Sequence, residues 1–204
     1  MIEKEFVLRT AVVCDEDNRH CYCIEREFVG MEGRTAILLT LYPSYSASNS
    51  FRIDDTAKAV LGHMEELGIN KMVTVNLFSR IVSGAKMSYR DLKVDERNME
   101  FIQELFAKPE YEGVDAIVAF GNSMRSNKAA IESKRRVLSI LRQGKRRLFQ
   151  FACDAVETQN ANSLHPLFLG VRAQNLPWRL ESYADTEFQE QEDVLEKKKA
   201  KKKA

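Results

Sequence analysis

Four apolar runs in this sequence have the composition of β-strands, and each ends abruptly at a short polar motif. They are Thr35–Leu41 before Tyr42-Pro43-Ser44, Met72–Val75 before Asn76-Leu77-Phe78, Ala116–Phe120 before Gly121-Asn122, and Leu148–Phe151 before a polar loop that leads to His165-Pro166. Segments with helical periodicity separate the runs, so the predicted order is β-α-β-α-β-α-β. Because parallel strands place their carboxyl ends at one edge of a sheet, where ligands bind, the four motifs should meet there.

This order predicts a single three-layer α/β/α domain built on a mainly parallel sheet of four strands. Two further strand-like segments, Glu5–Val13 and His20–Glu27, flank an acidic turn and predict an antiparallel pair at the edge of the sheet. The length of 204 residues suffices for one buried core. We expect the domain to span residues 1–183 and a charged, disordered tail to span 184–204.

Composition excludes some classes of protein. The sequence has no apolar segment long enough to indicate a membrane span. The amino-terminal residues lack the basic and then apolar order of a secretory signal, which favours a cytoplasmic protein. The pair Cys21 and Cys23 follows His20, but no second pair of ligands at zinc-like spacing exists, so we expect neither a metal nor a cofactor.

Positive charge is concentrated in two places. The segment Lys197–Ala204 carries six lysines, and removing these six charges from the net +1 leaves −5 for the rest of the chain. This tail is an electrostatic arm for phosphate backbones, an idle solvated end, or a sequence added for expression. Arg135, Arg136 and Lys145 similarly form either a phosphate-facing patch or a solvated helix surface.

Six short motifs, in this order and spacing, resemble an uncharacterised family, domain of unknown function 1643. Five of them are Leu41-Tyr42-Pro43-Ser44, Asp54-Asp55-Thr56, Val75-Asn76-Leu77-Phe78, Phe120-Gly121-Asn122 and His165-Pro166-Leu167-Phe168, and a basic-x-x-Leu segment is the sixth. The resemblance covers about His20 to Gly170. In that family the first motif typically reads Asn-Pro-Ser, so Tyr42 is a departure from its pattern.

The layout is also similar, more distantly, to the uracil-DNA glycosylase superfamily. There, a Pro-containing loop after the first strand positions the hydrolytic water, and an asparagine after the second strand reads the base edge. A late His-Pro motif stabilises the departing base anion. The resemblance implies a glycosylase-like fold in which Asn76 reads a base and His165-Pro166 stabilises the anion. Phe120-Gly121-Asn122 resembles the glycosylase strand that ends in a small residue.

The chemistry of these side chains is compatible with such roles. An asparagine offers both a donor and an acceptor to a base edge, and a histidine can stabilise an anion. A phenol with a pKa near ~10 cannot activate water as a carboxylate does, so Asp54 or Asp55 would have to replace Tyr42 in that role. Structural alternatives remain for each: Asn76 could bridge strand-end backbone groups, His165 could brace a turn, and the aspartates could cap a helix.

The sequence therefore predicts a protein that recognises a nucleobase or nucleotide, free or in nucleic acid, and that could hydrolyse an N-glycosidic bond. The alternatives are a module that sequesters a nucleotide or reads a modified base without reaction, and a plain interaction protein. The oligomeric state and the base are not specified. The candidate catalytic residues are Asp54, Asp55 and His165; the candidate ligand-binding residues are Tyr42, Pro43, Ser44, Asn76, Phe78, Gly121, Asn122 and Pro166; and the candidate phosphate contacts are Arg135, Arg136 and Lys145.

Overall fold

The structure is a computed structural model that describes residues 3, 5–43, 45, 52–82, 92–121, 123–124, 126–156 and 164–183. The tail at 184–204 and the candidate residues Ser44 and Asn122 lie outside these ranges. The described strands are β1 (Val7–Cys14), β2 (Cys21–Val29), β3 (Arg34–Thr40), β4 (Ile69–Asn76), β5 (Ala116–Val118), β6 (Leu148–Ala152) and β7 (Arg179–Ser182). The described helices are α1 (Asp55–Leu61), α2 (Glu96–Ala107), α3 (Lys128–Gln143) and α4 (Pro166–Arg172), with a 3₁₀ turn at Pro109–Tyr111.

All seven strands belong to one sheet, in the order β1-β2-β4-β3-β5-β6-β7. The α/β class is confirmed, but the expectation of a mainly parallel sheet of four strands is wrong. Three of the six pairings are antiparallel, those of β1 with β2, β2 with β4 and β6 with β7, and the parallel pairings join β4, β3, β5 and β6. β7 is a four-residue edge strand with no buried residue, so it carries no apolar pattern that predicts a strand.

Helices cover both faces of the sheet because successive side chains of a strand point to opposite faces. Ala36 and Leu38 of β3 pack in the core under α1 and α4, whereas Ile37 and Leu39 pack in the core under α2 and α3. Trp178 closes the first of these cores, with its ring stacked on that of His63 at 4.0 Å between centroids. Among the helices that the structure describes, none combines the length and the apolarity needed to cross a bilayer.

Each described α-helix begins at a side chain that accepts a hydrogen bond from a backbone amide of its first turn. The four capping residues are Asp54, Asp95, Asn127 and His165. Such caps satisfy amides that have no partner within the helix. Two of these caps are also candidate site residues, so the start of α1 and the start of α4 place them at fixed positions.

The direction of strand order reverses at β3. The chain moves from β3 to β4 on one side through α1, and then crosses to β5 on the other side through α2. In open α/β sheets a crevice opens at such a reversal, beyond the carboxyl ends of the strands. Thr40, Asn76 and Gly121 lie at or just after the ends of the strands that meet there.

Candidate functional site

Asn76 ends β4 and is fixed by hydrogen bonds to both its main chain and its side chain. Its register partner on β3 is Thr40, whose hydroxyl Oγ1 donates to Asn76 Oδ1 at 2.5 Å. Asn98 Nδ2 of α2 donates to the carbonyl oxygen of Asn76 at 2.7 Å. The residue is 1% exposed, and its Nδ2 is buried with no hydrogen-bond partner in the described part of the chain. The amide is therefore held in one orientation and presents an unused donor.

Asp54 has a similar division between its two oxygens. Oδ1 accepts from the backbone nitrogens of Thr56 at 2.8 Å and Ala57 at 3.1 Å, which caps α1. Oδ2 is buried, and no described residue donates to it. Asp55, in contrast, has a side chain that is 79% exposed and pairs with Lys58 at 3.0 Å. Of the two candidate carboxylates, only Asp54 faces the interior.

His165 caps α4, and its Nδ1 accepts from the backbone nitrogen of Leu167 at 3.2 Å. Burial lowers the pKa of His165, and the negative charge of Asp54 acts weakly in the opposite direction. The neutral ring therefore dominates at pH 7, and its bond at Nδ1 favours the tautomer with a proton on Nε2. Gly121, which has φ of +64°, lies so close that a Cβ on it would be 2.9 Å from the His165 Cβ.

A pocket lies between α1 and the face formed by β2, β4 and β3. It holds about 410 Å³ of empty space, part of it open solvent, and leaves room for about one water-sized group among its walls. Its walls are Ile24, Arg26, Leu38, Thr40, Thr56, Ala57, Val60, Leu61, Met72 and Thr74. The lining therefore contains a hydrogen-bond partner of Asn76, which is Thr40, and one of Asp54, which is the backbone of Thr56.

Arg26 is the only charged side chain in this lining, and sequence reasoning missed it. The residue is 8% exposed, and its Nε has no partner among the described residues. Burial lowers the pKa of its guanidinium, and Asp54 acts in the opposite direction. A signal was present in the sequence, because Arg26 alternates with Ile24 and Phe28 along β2 and so shares their inward face.

The family model described as Protein of unknown function (DUF1643) matches residues 22–167. The chain belongs to this family. The match runs from β2 to the start of α4 and so contains Arg26, Asp54, Asn76, Gly121 and His165. No curated protein matches the chain.

Two of the candidate ligand-binding residues of this DUF1643 protein lie on the other side of the sheet. The rings of Tyr42 and Phe78 stack at 5.2 Å between centroids and pack against the core under α2 and α3. The Tyr42 hydroxyl donates to the sulfur of Met124 at 3.8 Å. Neither ring lines the pocket under α1. Pro43 and Pro166 are buried, and Pro166 is the first residue of α4.

The candidate phosphate contacts of the DUF1643 chain are not at the pocket either. Arg135 pairs with Glu132 at 3.0 Å, and Arg136 donates to both carboxylate oxygens of Glu96 at 2.8 Å, which links α3 to α2. Lys145 is exposed after the end of α3, at the amino edge of β6. The two arginines therefore have acidic partners in a helical surface, which favours the solvated-helix interpretation for them.

Cys21, Cys23 and Cys153 of the DUF1643 chain are buried free thiols, whereas Cys14 is only half-buried. Burial raises the pKa of Cys21 and raises that of Cys23 to about 12, so neither is a thiolate at neutral pH. Within the described residues, no group of three or more histidine, cysteine or acidic side chains is placed to hold a metal ion.

Proposed function

We propose that this protein recognises a nucleobase or nucleotide at the carboxyl edge of the sheet, beside α1. The observation that carries the proposal is the pair of buried, unused atoms, the donor Asn76 Nδ2 and the acceptor Asp54 Oδ2. A buried polar atom without a partner costs about 1–3 kcal/mol, so a ligand that pairs with both atoms gains affinity from each. A ring N–H beside a carbonyl, as on the Watson–Crick edge of uracil or guanine, offers the matching acceptor and donor.

The glycosylase-like architecture is part of the same proposal. What supports it is the position of Asn76 at the end of β4 and of His165 immediately before Pro166 at the start of α4, with helices on both faces of the sheet. The hydrogen bond from Thr40 fixes which end of the Asn76 amide is presented. A fixed amide orientation is what base-edge reading requires, because a freely rotating amide would accept either arrangement of donor and acceptor.

The first prediction tests base recognition through Asn76. We expect Asn76→Ala to weaken the binding of a nucleoside by about 1–3 kcal/mol, because the ligand loses a buried hydrogen bond. The measurement is a thermal-shift screen of nucleobases, nucleosides and short oligonucleotides, followed by calorimetry on the ligands that raise the melting temperature.

Asn70→Ala is the matched control for that experiment. Asn70 lies on the same strand but donates to the Met31 carbonyl near the opposite end of β4, at 3.2 Å. The control should lose a comparable hydrogen bond and retain ligand binding. If Asn76→Ala lowers stability no more than Asn70→Ala does and still binds every ligand as tightly as the parent, base recognition by Asn76 is wrong.

Hydrolysis of an N-glycosidic bond is the second candidate function, and it is favoured by the buried Oδ2 of Asp54, whose negative charge acts on a neutral His165. In this mechanism Asp54 Oδ2 contacts water instead of the base edge and takes its proton, the oxygen attacks the anomeric carbon, and the bond from that carbon to the base nitrogen breaks. The Nε2–H of His165 donates a hydrogen bond to the departing base anion. Tyr42 takes no part, since its ring packs on the other side of the sheet.

The second prediction separates catalysis from binding alone. Asp54→Asn keeps an oxygen for the α1 cap but cannot act as a base, so we expect release of free base to fall by about 10²-fold or more while the fold is retained. Asp55→Asn removes the exposed neighbouring carboxylate and should leave the rate unchanged. Chromatography of free base released from nucleosides and uracil-containing oligonucleotides measures both. Binding without any release by the parent protein would support the non-catalytic module instead.

A further inference from the structure

The guanidinium of Arg26 lies in a largely buried residue, and part of its hydrogen-bonding capacity is unused. The residue is 8% exposed, and its Nε is buried without a hydrogen-bond partner among the residues that the structure describes. Two exposed arginines, in contrast, have acidic partners: Arg9 pairs with Glu27 and Arg136 pairs with Glu96. A buried charge is normally retained only when it is paired or when it binds a ligand, because desolvation of an unpaired charge is very unfavourable.

The surroundings of Arg26 are those of a small binding pocket for an anionic group. Aliphatic side chains form most of the lining, so few protein atoms compete for the guanidinium. Three threonines, Thr40, Thr56 and Thr74, belong to the same lining, and the hydroxyl of Thr40 donates to Asn76. The room for about one water-sized group fits the oxygen end of a ligand and excludes a whole nucleotide.

Asp54 is an acidic residue that acts electrostatically on Arg26. It forms no ion pair with Arg26, and its Oδ1 is already held by two amides of α1. An oxyanion that reached Arg26 would therefore meet a guanidinium that no described acidic side chain pairs with, while one oxygen of Asp54 is bonded to α1. Arginine is suited to this contact, since its planar donors match carboxylate and phosphate oxygens.

We propose that Arg26 binds an oxyanion, a phosphate or carboxylate group, carried by the ligand of this site. The inference rests on the proposed function for the rest of the ligand and deepens it: the preferred ligand is a nucleotide or another acidic derivative of a base, with its charged end under α1. The anion and the base are bound by different side chains, so each half of the ligand can be tested alone.

The experiment compares uridine, uridine 5′-monophosphate, guanosine, guanosine 5′-monophosphate, inorganic phosphate and acetate by thermal shift and calorimetry. We expect each monophosphate to bind the parent protein at least about tenfold more tightly than its nucleoside, and phosphate or acetate alone to raise the melting temperature at millimolar concentration. Arg26→Met should abolish both advantages. Arg9→Met, which removes an exposed arginine on β1, is the control and should retain them.

The ligand-free stability of Arg26→Met is a second readout. We expect its melting temperature to equal or exceed that of the parent, because the variant removes an unpaired buried charge. Arg26→Lys keeps the charge and should retain part of the anion effect. The proposal is overturned if nucleoside and monophosphate bind equally, if no anion protects the parent, or if anions protect Arg26→Met as well. Protection by phosphate without any nucleoside binding would leave Arg26 as an anion site and reject base recognition.

Discussion

The three polar side chains of the candidate site each use one atom for structure and keep another unused. Asp54 caps α1 through Oδ1, Asn76 accepts from Thr40 through Oδ1, and His165 caps α4 through Nδ1. The remaining atoms, Oδ2, Nδ2 and Nε2, have no hydrogen-bond partner among the contacts of the described chain. The structural and functional interpretations are therefore compatible, since a side chain held by one atom presents its other atom at a fixed position.

The third prediction concerns the pH dependence contributed by His165. Because its folded pKa is below the usual 6.5, the unfolded chain binds a proton more readily than the folded one between these two values. The neutral histidine's contribution to stability is thus present above pH 6.5 and is lost as the pH falls through the folded pKa. Urea unfolding between pH 7.5 and pH 5 should show a steeper loss for the parent than for His165→Asn, which can still cap α4. Parallel slopes would contradict the lowered pKa.

At the scale of elements, the end of β5 and the start of α4 are held together at Gly121. Its positive φ and the close approach of His165 both require glycine at this position. The contact explains how a residue distant along the chain is positioned beside the strand ends.

The fourth prediction tests that contact. Gly121→Ala should lower the free energy of unfolding by about 2–3 kcal/mol, since about 1–2 kcal/mol comes from the left-handed conformation and the rest from the clash. Gly113→Ala is the matched control, because Gly113 has φ of +67° with nothing within 4 Å of an added Cβ. Urea titrations of both variants give the difference. Equal losses would show that His165 moves aside freely.

The sequence predicted elements well where periodicity was strong. The predicted alternation of strands and helices from β3 to β6 is confirmed. The α4 helix and β7 were not predicted, because α4 spans only seven residues and β7 only four, too few for a pattern to emerge. The sequence also did not predict that Tyr42 and Asn76 lie on opposite sides of the sheet. The order of motifs along the chain does not specify which face of the sheet a residue beyond a strand end takes.

The sequence could propose residues for the candidate site but not the contacts that their atoms make. The strand ends pointed to Asn76 and His165 as candidates, but the role of each atom depends on hydrogen bonds that no pattern encodes. Arg26 belongs to an antiparallel strand that enters the site from the other direction, so its place does not follow from the ends of the parallel strands.

At the scale of the whole molecule, charge is divided between a mildly acidic chain and a basic end. The fifth prediction is that removing Lys197–Ala204, with its six lysines, leaves the melting temperature unchanged but weakens nucleic-acid binding mainly at low salt. Release of counterions makes such binding steeply dependent on salt, and the slope falls as lysines are removed. Filter binding of a short oligonucleotide from 50 to 300 mM salt, about the range in which such slopes are measured, checks this. An unchanged slope would show that the lysines take no part.

The stacking of Trp178 on His63 gives the protein an intrinsic fluorescence probe. Trp178 is the only tryptophan in the chain, and its indole belongs to the core shared by α1 and α4. Its ultraviolet emission therefore comes from one side of the sheet alone, the side that also contains Arg26 and the pocket. Ligand entry under α1 should change the quenching of the indole by the adjoining imidazole. Loosening confined to the side of α2 and α3 should leave the emission spectrum of Trp178 unchanged.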